Sequence, residues 1–137
     1  MRTMFTVLLL ALAGQAMAQD RTPAPAEARV YIISPKDGDT VKNPVTVRFG
    51  LSGMGVAPAG VESEGTGHHH LIIDAPLPPF DESVPADEKH IHFGGGQTEI
   101  KLELAPGDHT LQLLLGDHNH IPHEPPVVSI PIEISVE

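Results

Sequence analysis

The 137-residue chain carries 18 acidic against 8 basic side chains, a formal charge of −10, with nine histidines, 14 prolines, 13 glycines and no cysteine or tryptophan. That length fits one domain. The acidic excess speaks against nucleic-acid and anionic-membrane partners, which are met by clustered Lys and Arg, and the missing thiol excludes disulfides, thiolate zinc sites, iron–sulfur clusters, cysteine nucleophiles and Cys-ligated blue copper.

Residues 1–18 open with Arg2, continue through an apolar run from Phe5 to Ala13 and end in Ala16-Met17-Ala18, the pattern of a secretory signal peptide. The run is too short for a bilayer span and no later segment is apolar enough, so the expected mature chain begins at Gln19, has no membrane span and lies in the periplasm or outside the cell. A histidine brace, which needs histidine at the mature N-terminus, is thereby ruled out. Losing residues 1–18 removes Arg2, leaving a charge of −11, and keeps all nine histidines. Residues 19–28 (QDRTPAPAEA) are polar and Pro/Ala-rich and read as a flexible leader to a domain at 29–137.

Short segments with period-two alternation follow. Val45, Val47, Phe49 and Leu51 alternate with Thr46, Arg48 and Gly50; Ile100, Leu102 and Leu104 alternate with Glu99, Lys101 and Glu103. Leu111, Leu113 and Leu115 repeat the pattern with Leu114 as an exception, and Val128, Ile130, Ile132, Ile134 and Val136 extend it to the C-terminus, with Pro131 suggesting an edge. The predicted strands are 29–33, 45–51, 68–74, 89–93, 98–104, 109–116 and 127–136. Turn signals such as Pro35-Lys-Asp-Gly-Asp39, Gly94-Gly-Gly96 and Ala105-Pro-Gly-Asp108 separate them. About seven antiparallel strands with no helical periodicity predict an all-β, immunoglobulin-like β-sandwich. The proline-rich stretch 75–88 is expected to cross between the sheets without a core of its own, placing 89–93 in the sheet opposite 68–74.

In this fold the loops after the second, fourth and sixth strands share one end, the B–C, D–E and F–G loops of immunoglobulin nomenclature. Eight of the nine histidines fall there: His68, His69 and His70 after a glycine-rich loop, His90 and His92, and His118, His120 and His123. His109 starts a strand at the far end and is expected to be solvated. Neutral imidazole binds Cu²⁺, Zn²⁺ and Ni²⁺, and neighbouring strands and loops can supply the donors. Strand alternation turns His68 and His70 to one side and His69 toward the core. Set against this, loop histidines are often no more than solvated polar residues, and His-x-His occurs on strands without metal. If 89–93 lies in the opposite sheet, His90 and His92 sit roughly 10 Å from the first pair and form a second site unless the loop folds over the rim. Met54 could add a thioether but reads better as an apolar plug. Asp117 and Glu124 are candidate partners for the ligands' second ring nitrogens. Asp37-Gly-Asp39 reads as a β-turn rather than a calcium loop, and no catalytic residues are expected, since no serine sits in a nucleophile elbow.

The strings Leu51-Ser-Gly-Met-Gly-Val-Ala-Pro-Ala-Gly60, Gly65-Thr-Gly-His-His-His-Leu71, Ile91-His-Phe-Gly-Gly-Gly-Gln-Thr-Glu99, Pro106-Gly-Asp-His-Thr-Leu111 and Leu115-Gly-Asp-His-Asn-His-Ile-Pro-His-Glu-Pro-Pro-Val-Val-Ser129 resemble a family of small secreted bacterial proteins, domain of unknown function 4399. The resemblance spans nearly all of residues 30–136 and implies an exported His-rich domain with no established activity. Its motif Gly-Asp-x-x-His-x-Pro-His falls on Gly116, Asp117, His120, Pro122 and His123, which ranks these above His118, and His92 likewise above His90. The leading expectation is a periplasmic metal-binding protein holding copper, or zinc next, through His68, His70, His92, His120 and His123, with His69, His90, His118 and Met54 as secondary candidates. Its role would be binding, delivery or detoxification, with a metal ion and a periplasmic protein as partners. The alternatives are a metal-dependent enzyme, redox or hydrolytic, on a β-sandwich and a non-metal cell-envelope interaction module.

Overall fold

A computed structural model describes residues 20–137; the signal-peptide reading of residues 1–18 lies outside them. Among the described residues nine strands form: β1 (Arg29–Ser34), β2 (Thr40–Val41), β3 (Val45–Ser52), β4 (Gly55–Val56), β5 (Thr66–Ile73), β6 (His90–His92), β7 (Glu99–Leu102), β8 (Gly107–Gly116) and β9 (Ile132–Val136). They build an immunoglobulin-like sandwich. One sheet has the order β1-β3-β7, and the other runs β2-β9-β8-β5-β4 with β6 also paired to β5. Seven of these strands match the expected ones; β2 and β4 are two-residue additions. Among the described residues no helix is long and apolar enough to cross a membrane.

Period-two alternation accounts for the core. Val45, Val47 and Phe49 of β3 turn inward while Arg48 stays exposed, and they meet Leu71 and Ile73 of β5 and Leu111, Leu113 and Leu115 of β8 in one apolar cluster. Ile134 and Val136 of β9 close it. Burying these side chains is the main favourable contribution to folding. The last predicted strand departs from plain alternation. Leu114 bridges to Val128 while Leu111 pairs with Ile132, so one extra residue is inserted on the later strand. Such a bulge flips the parity of the chain, and Ile130, expected on the apolar face, is 84% exposed.

The largest correction concerns residues 75–92. The proline-rich stretch does not cross between sheets. It folds over the outer face of the larger sheet, where Phe80 and Val84 pack with Ile72 and Leu114 in a second small core. This gives Leu114, the exception to alternation, an apolar partner on the outer face. Having covered that face, the chain returns along the free edge of β5 as β6, antiparallel, with His92 opposite His70 and His90 opposite Ile72. Strand β5 is therefore covered on both sides and is buried from Gly67 through Ile73.

Residues 21–24, part of the stretch that reads as a leader, lie alongside the β8–β9 loop. Ala24 N donates to Glu124 O at 3.0 Å and Glu124 N to Thr22 O at 2.9 Å.

Candidate metal centre

Strand pairing sets three of the imidazoles. His68 and His70 lie on the outer face of β5, two residues apart, and their rings are 4.7 Å apart between centroids. Because β6 is the neighbour of β5, His92 stands beside them, its centroid 5.0 Å from that of His68 and 5.3 Å from that of His70. Of the second pair, His92 thus joins the first cluster while His90 does not, and β6 lies beside β5 rather than in the opposite sheet, which corrects the expectation for 89–93.

The fourth imidazole comes from the β8–β9 loop. His120 has φ of 66°, in the left-handed region that few side chains adopt, histidine among those that tolerate it. A turn built on Asp117 holds it there. The Asp117 carbonyl accepts from His120 N at 2.9 Å, and its Oδ1 accepts from Asn119 N at 2.8 Å and Ile121 N at 3.0 Å. The proline-rich stretch clamps the loop from above, since Val84 N donates to His120 O at 2.9 Å. So held, the His120 ring lies 4.6 Å from that of His92, and its Nδ1 is 3.1 Å from His68 Nε2.

One nitrogen from each of His68, His70, His92 and His120 lies within 4.8 Å of the other three, and this group can hold a metal ion. A tetrahedral ion with bonds of about 2.0–2.1 Å sets its donor nitrogens about 3.4 Å apart, so modest ring rotations close the cluster on such an ion. Glycines make room for the rings. A Cβ on Gly116 would stand 2.6 Å from His70 Cε1, and one on Gly94 would stand 2.4 Å from His92 Cε1.

The electrostatics favour the neutral form of three of these rings, His68, His70 and His92. Burial, and then the neighbouring His120 and His92, pull His68 down to about 4. Burial followed by His68, His92 and His120 brings His70 to about 3, and His92 is lowered by burial and then by His120. Neutral imidazole is the form that donates a lone pair to a cation. His70 is 1% exposed, neither of its ring nitrogens makes a hydrogen bond of good geometry, and the Leu114 backbone is the one neighbour that acts to raise it. An unsatisfied buried polar group costs about 1–3 kcal/mol, and a bound cation would relieve that cost.

The remaining candidates lie elsewhere. His123 is fully buried, with Nε2 on the Thr66 carbonyl at 3.1 Å, outside the four-imidazole group. His69 points into the core against Phe49, 5.2 Å between ring centroids, as strand alternation requires. His90 pairs with Asp87 at 2.7 Å. His118 contacts Asn119 at 2.9 Å, with Glu62 at 3.9 Å. Met54 packs at the edge of the main core. Asp117 and Glu124 contact no imidazole in the group: Asp117 caps the turn, and Glu124 pairs with Arg21. His109 is not merely solvated. Its Nδ1 meets Asp74 Oδ2 and its Nε2 the Ala105 carbonyl, each at 2.7 Å, and those two acceptors, the carbonyl first, raise it above the ordinary histidine value.

Fold and site together define an immunoglobulin-like β-sandwich with a four-imidazole cluster on the outer face of its larger sheet. The model of a family described as a domain of unknown function (DUF4399) matches residues 47–137, and the chain belongs to that family. All four clustered histidines fall within the match. No curated protein matches the chain. Among solved structures it is similar to fibronectin(III)-like modules of CbhA from Clostridium thermocellum, at 12% identity and a TM-score of 0.44, over 80% of this chain and 45% of that one. The chain thus spans less than half the length of that solved protein.

Proposed function

We propose that this is an exported, periplasmic metal-binding protein whose centre is His68, His70, His92 and His120, with copper as the favoured ion and zinc next. Its role is binding, delivery or detoxification. The observation that carries the reading is His70, buried, neutral and without a hydrogen-bond partner, among three other imidazoles that each offer a nitrogen within 4.8 Å. His69 is also buried with both ring nitrogens unpartnered; what sets His70 apart is the company of three imidazoles able to share an ion with it.

The donor set supports copper over zinc. It is all imidazole and free of thiol, and Cu²⁺ heads the affinity order of divalent ions for nitrogen sites. His92 is exposed while His68 and His70 are buried, so the cluster opens to solvent on one side, where a periplasmic partner protein could give or take the ion. Elemental analysis of untagged protein, after growth in medium supplemented with copper and zinc, tests the reading. The expected result is about one copper or zinc ion per chain. Protein free of both, with no uptake at neutral pH on later addition, would reject it in favour of an envelope-interaction module.

A further inference from the structure

The turn that aims His120 is held from a distant part of the chain. Asp117 is 4% exposed, and while its Oδ1 takes the Asn119 and Ile121 amides, its Oδ2 accepts from Thr22 Oγ1 at 2.6 Å. Together these hold the Asp117 carboxyl below its ordinary value, against the opposing effect of burial. Thr22 belongs to the segment that pairs with Glu124, and its neighbour Arg21 clamps the same loop. The Arg21 guanidinium donates to the Pro122 carbonyl at 3.0 Å, to the His123 carbonyl and to the Glu124 carboxylate. Thr22 also lies outside the residues that match the family model, 47–137.

We infer that Thr22 is a positioning residue for the metal centre: through Asp117 it latches the left-handed turn that presents His120. The inference rests on reading the four-imidazole cluster as a metal site. Without the Thr22 hydroxyl, Asp117 Oδ2 is a buried carboxylate oxygen lacking its donor. The carboxylate then turns toward water and releases the Asn119 and Ile121 amides, and with them the conformation of His120. Residues that orient metal ligands from behind typically change metal affinity by roughly 10–100-fold. Coupling between two equilibria is reciprocal, so metal must in turn tighten the segment around Thr22, which carries a trypsin site at Arg21.

The experiment titrates the full chain with Cu²⁺, in wild-type, Thr22→Val and Thr22→Ser forms, and follows tryptic cleavage after Arg21 with and without the ion. Thr22→Val keeps the shape and removes the donor; it should weaken Cu²⁺ binding about tenfold or more, while Thr22→Ser restores it. Cu²⁺ should slow cleavage after Arg21 in wild type and in Thr22→Ser, and slow it less in Thr22→Val. Melting of the metal-free proteins separates this from a general loss of fold, because the affinity loss is expected in Thr22→Val protein that still unfolds cooperatively. Equal affinity in wild type and Thr22→Val overturns the latch, as does a Thr22→Ser protein as weak as Thr22→Val. A wild-type chain that binds no Cu²⁺ overturns the metal reading itself, and the latch with it.

Discussion

Replacing His70 with leucine should strengthen the metal-free fold while removing the metal response. Both ring nitrogens of His70 are buried without a partner, a burden of about 1–3 kcal/mol that leucine does not carry. Leucine fills a similar volume but gives up the ring contacts with His68 and His92, at 4.7 and 5.3 Å, worth about 0.5–1.5 kcal/mol where aromatic geometry is favourable. The net is a gain of about 1 kcal/mol, or about 3–5 °C in Tm for a domain of this size. For wild type, metal at a hundred times its Kd adds about 2.7 kcal/mol; His70→Leu should gain almost none of it. Thermal melts of both proteins, with and without Cu²⁺, measure the two effects together. A His70→Leu protein that loses about 3 kcal/mol or more without metal, yet keeps the metal-induced shift, would refute the reasoning, because His70 would then be a packing residue.

Other substitutions probe the supporting structure. Gly116→Ala places a methyl 2.6 Å from His70 Cε1; overpacking of this kind costs about 1–3 kcal/mol, and metal titration should show weakened binding along with the lower Tm. Metal-free protein should lose stability on acidification. His69, lowered by burial from 6.5 to about 4, takes up a proton more readily when unfolded, so its contribution is complete above pH 6.5 and is lost as pH falls toward 4. That loss is about 3 kcal/mol, and urea melts across this range should be flatter in His69→Leu. His109 has the opposite sign, because its folded value is raised: its contribution is present below pH 6.5 and fades as pH rises through the folded value. His109→Gln should therefore cost more stability at pH 6 than at pH 8 in urea melts, and leave metal affinity unchanged.

Much of this was legible in period-two alternation. The split between His68 and His70 on one face and His69 on the other follows from strand geometry alone, as does the core built on Val45, Val47, Phe49 and the leucines of β8. The motif that ranked His120 and His123 above His118 divides in the structure: His120 joins the four-imidazole group, while His123 turns to the Thr66 carbonyl. Less legible was which edge of which sheet receives residues 89–93, because alternation describes a strand's faces and says nothing about its neighbours. The deciding contacts are Phe80 and Val84 on Ile72 and Leu114, two apolar residues in a stretch whose prolines read as a plain connector. A bulge at Ile130 is equally silent, since the residues on both sides keep alternating. The segment around Thr22 carries no apolar period, and its link to Asp117 is a side-chain hydrogen bond between residues 95 apart in sequence. Glycine placement is a further signal in the sequence: Gly67 directly precedes His68, and Gly94 and Gly116 stand two residues from His92 and His118, each where a Cβ would meet an imidazole ring.

Electron paramagnetic resonance of untagged protein titrated with Cu²⁺ at neutral pH tests the central claim most directly, because nitrogen donors leave their own splitting on the copper signal. One Cu²⁺ per chain is predicted, in an environment of several imidazole nitrogens, with that signal lost when His68 and His70 are both replaced by leucine. A signal from oxygen donors alone, or one unchanged in the doubly substituted protein, would contradict the assignment of the metal centre to these four histidines.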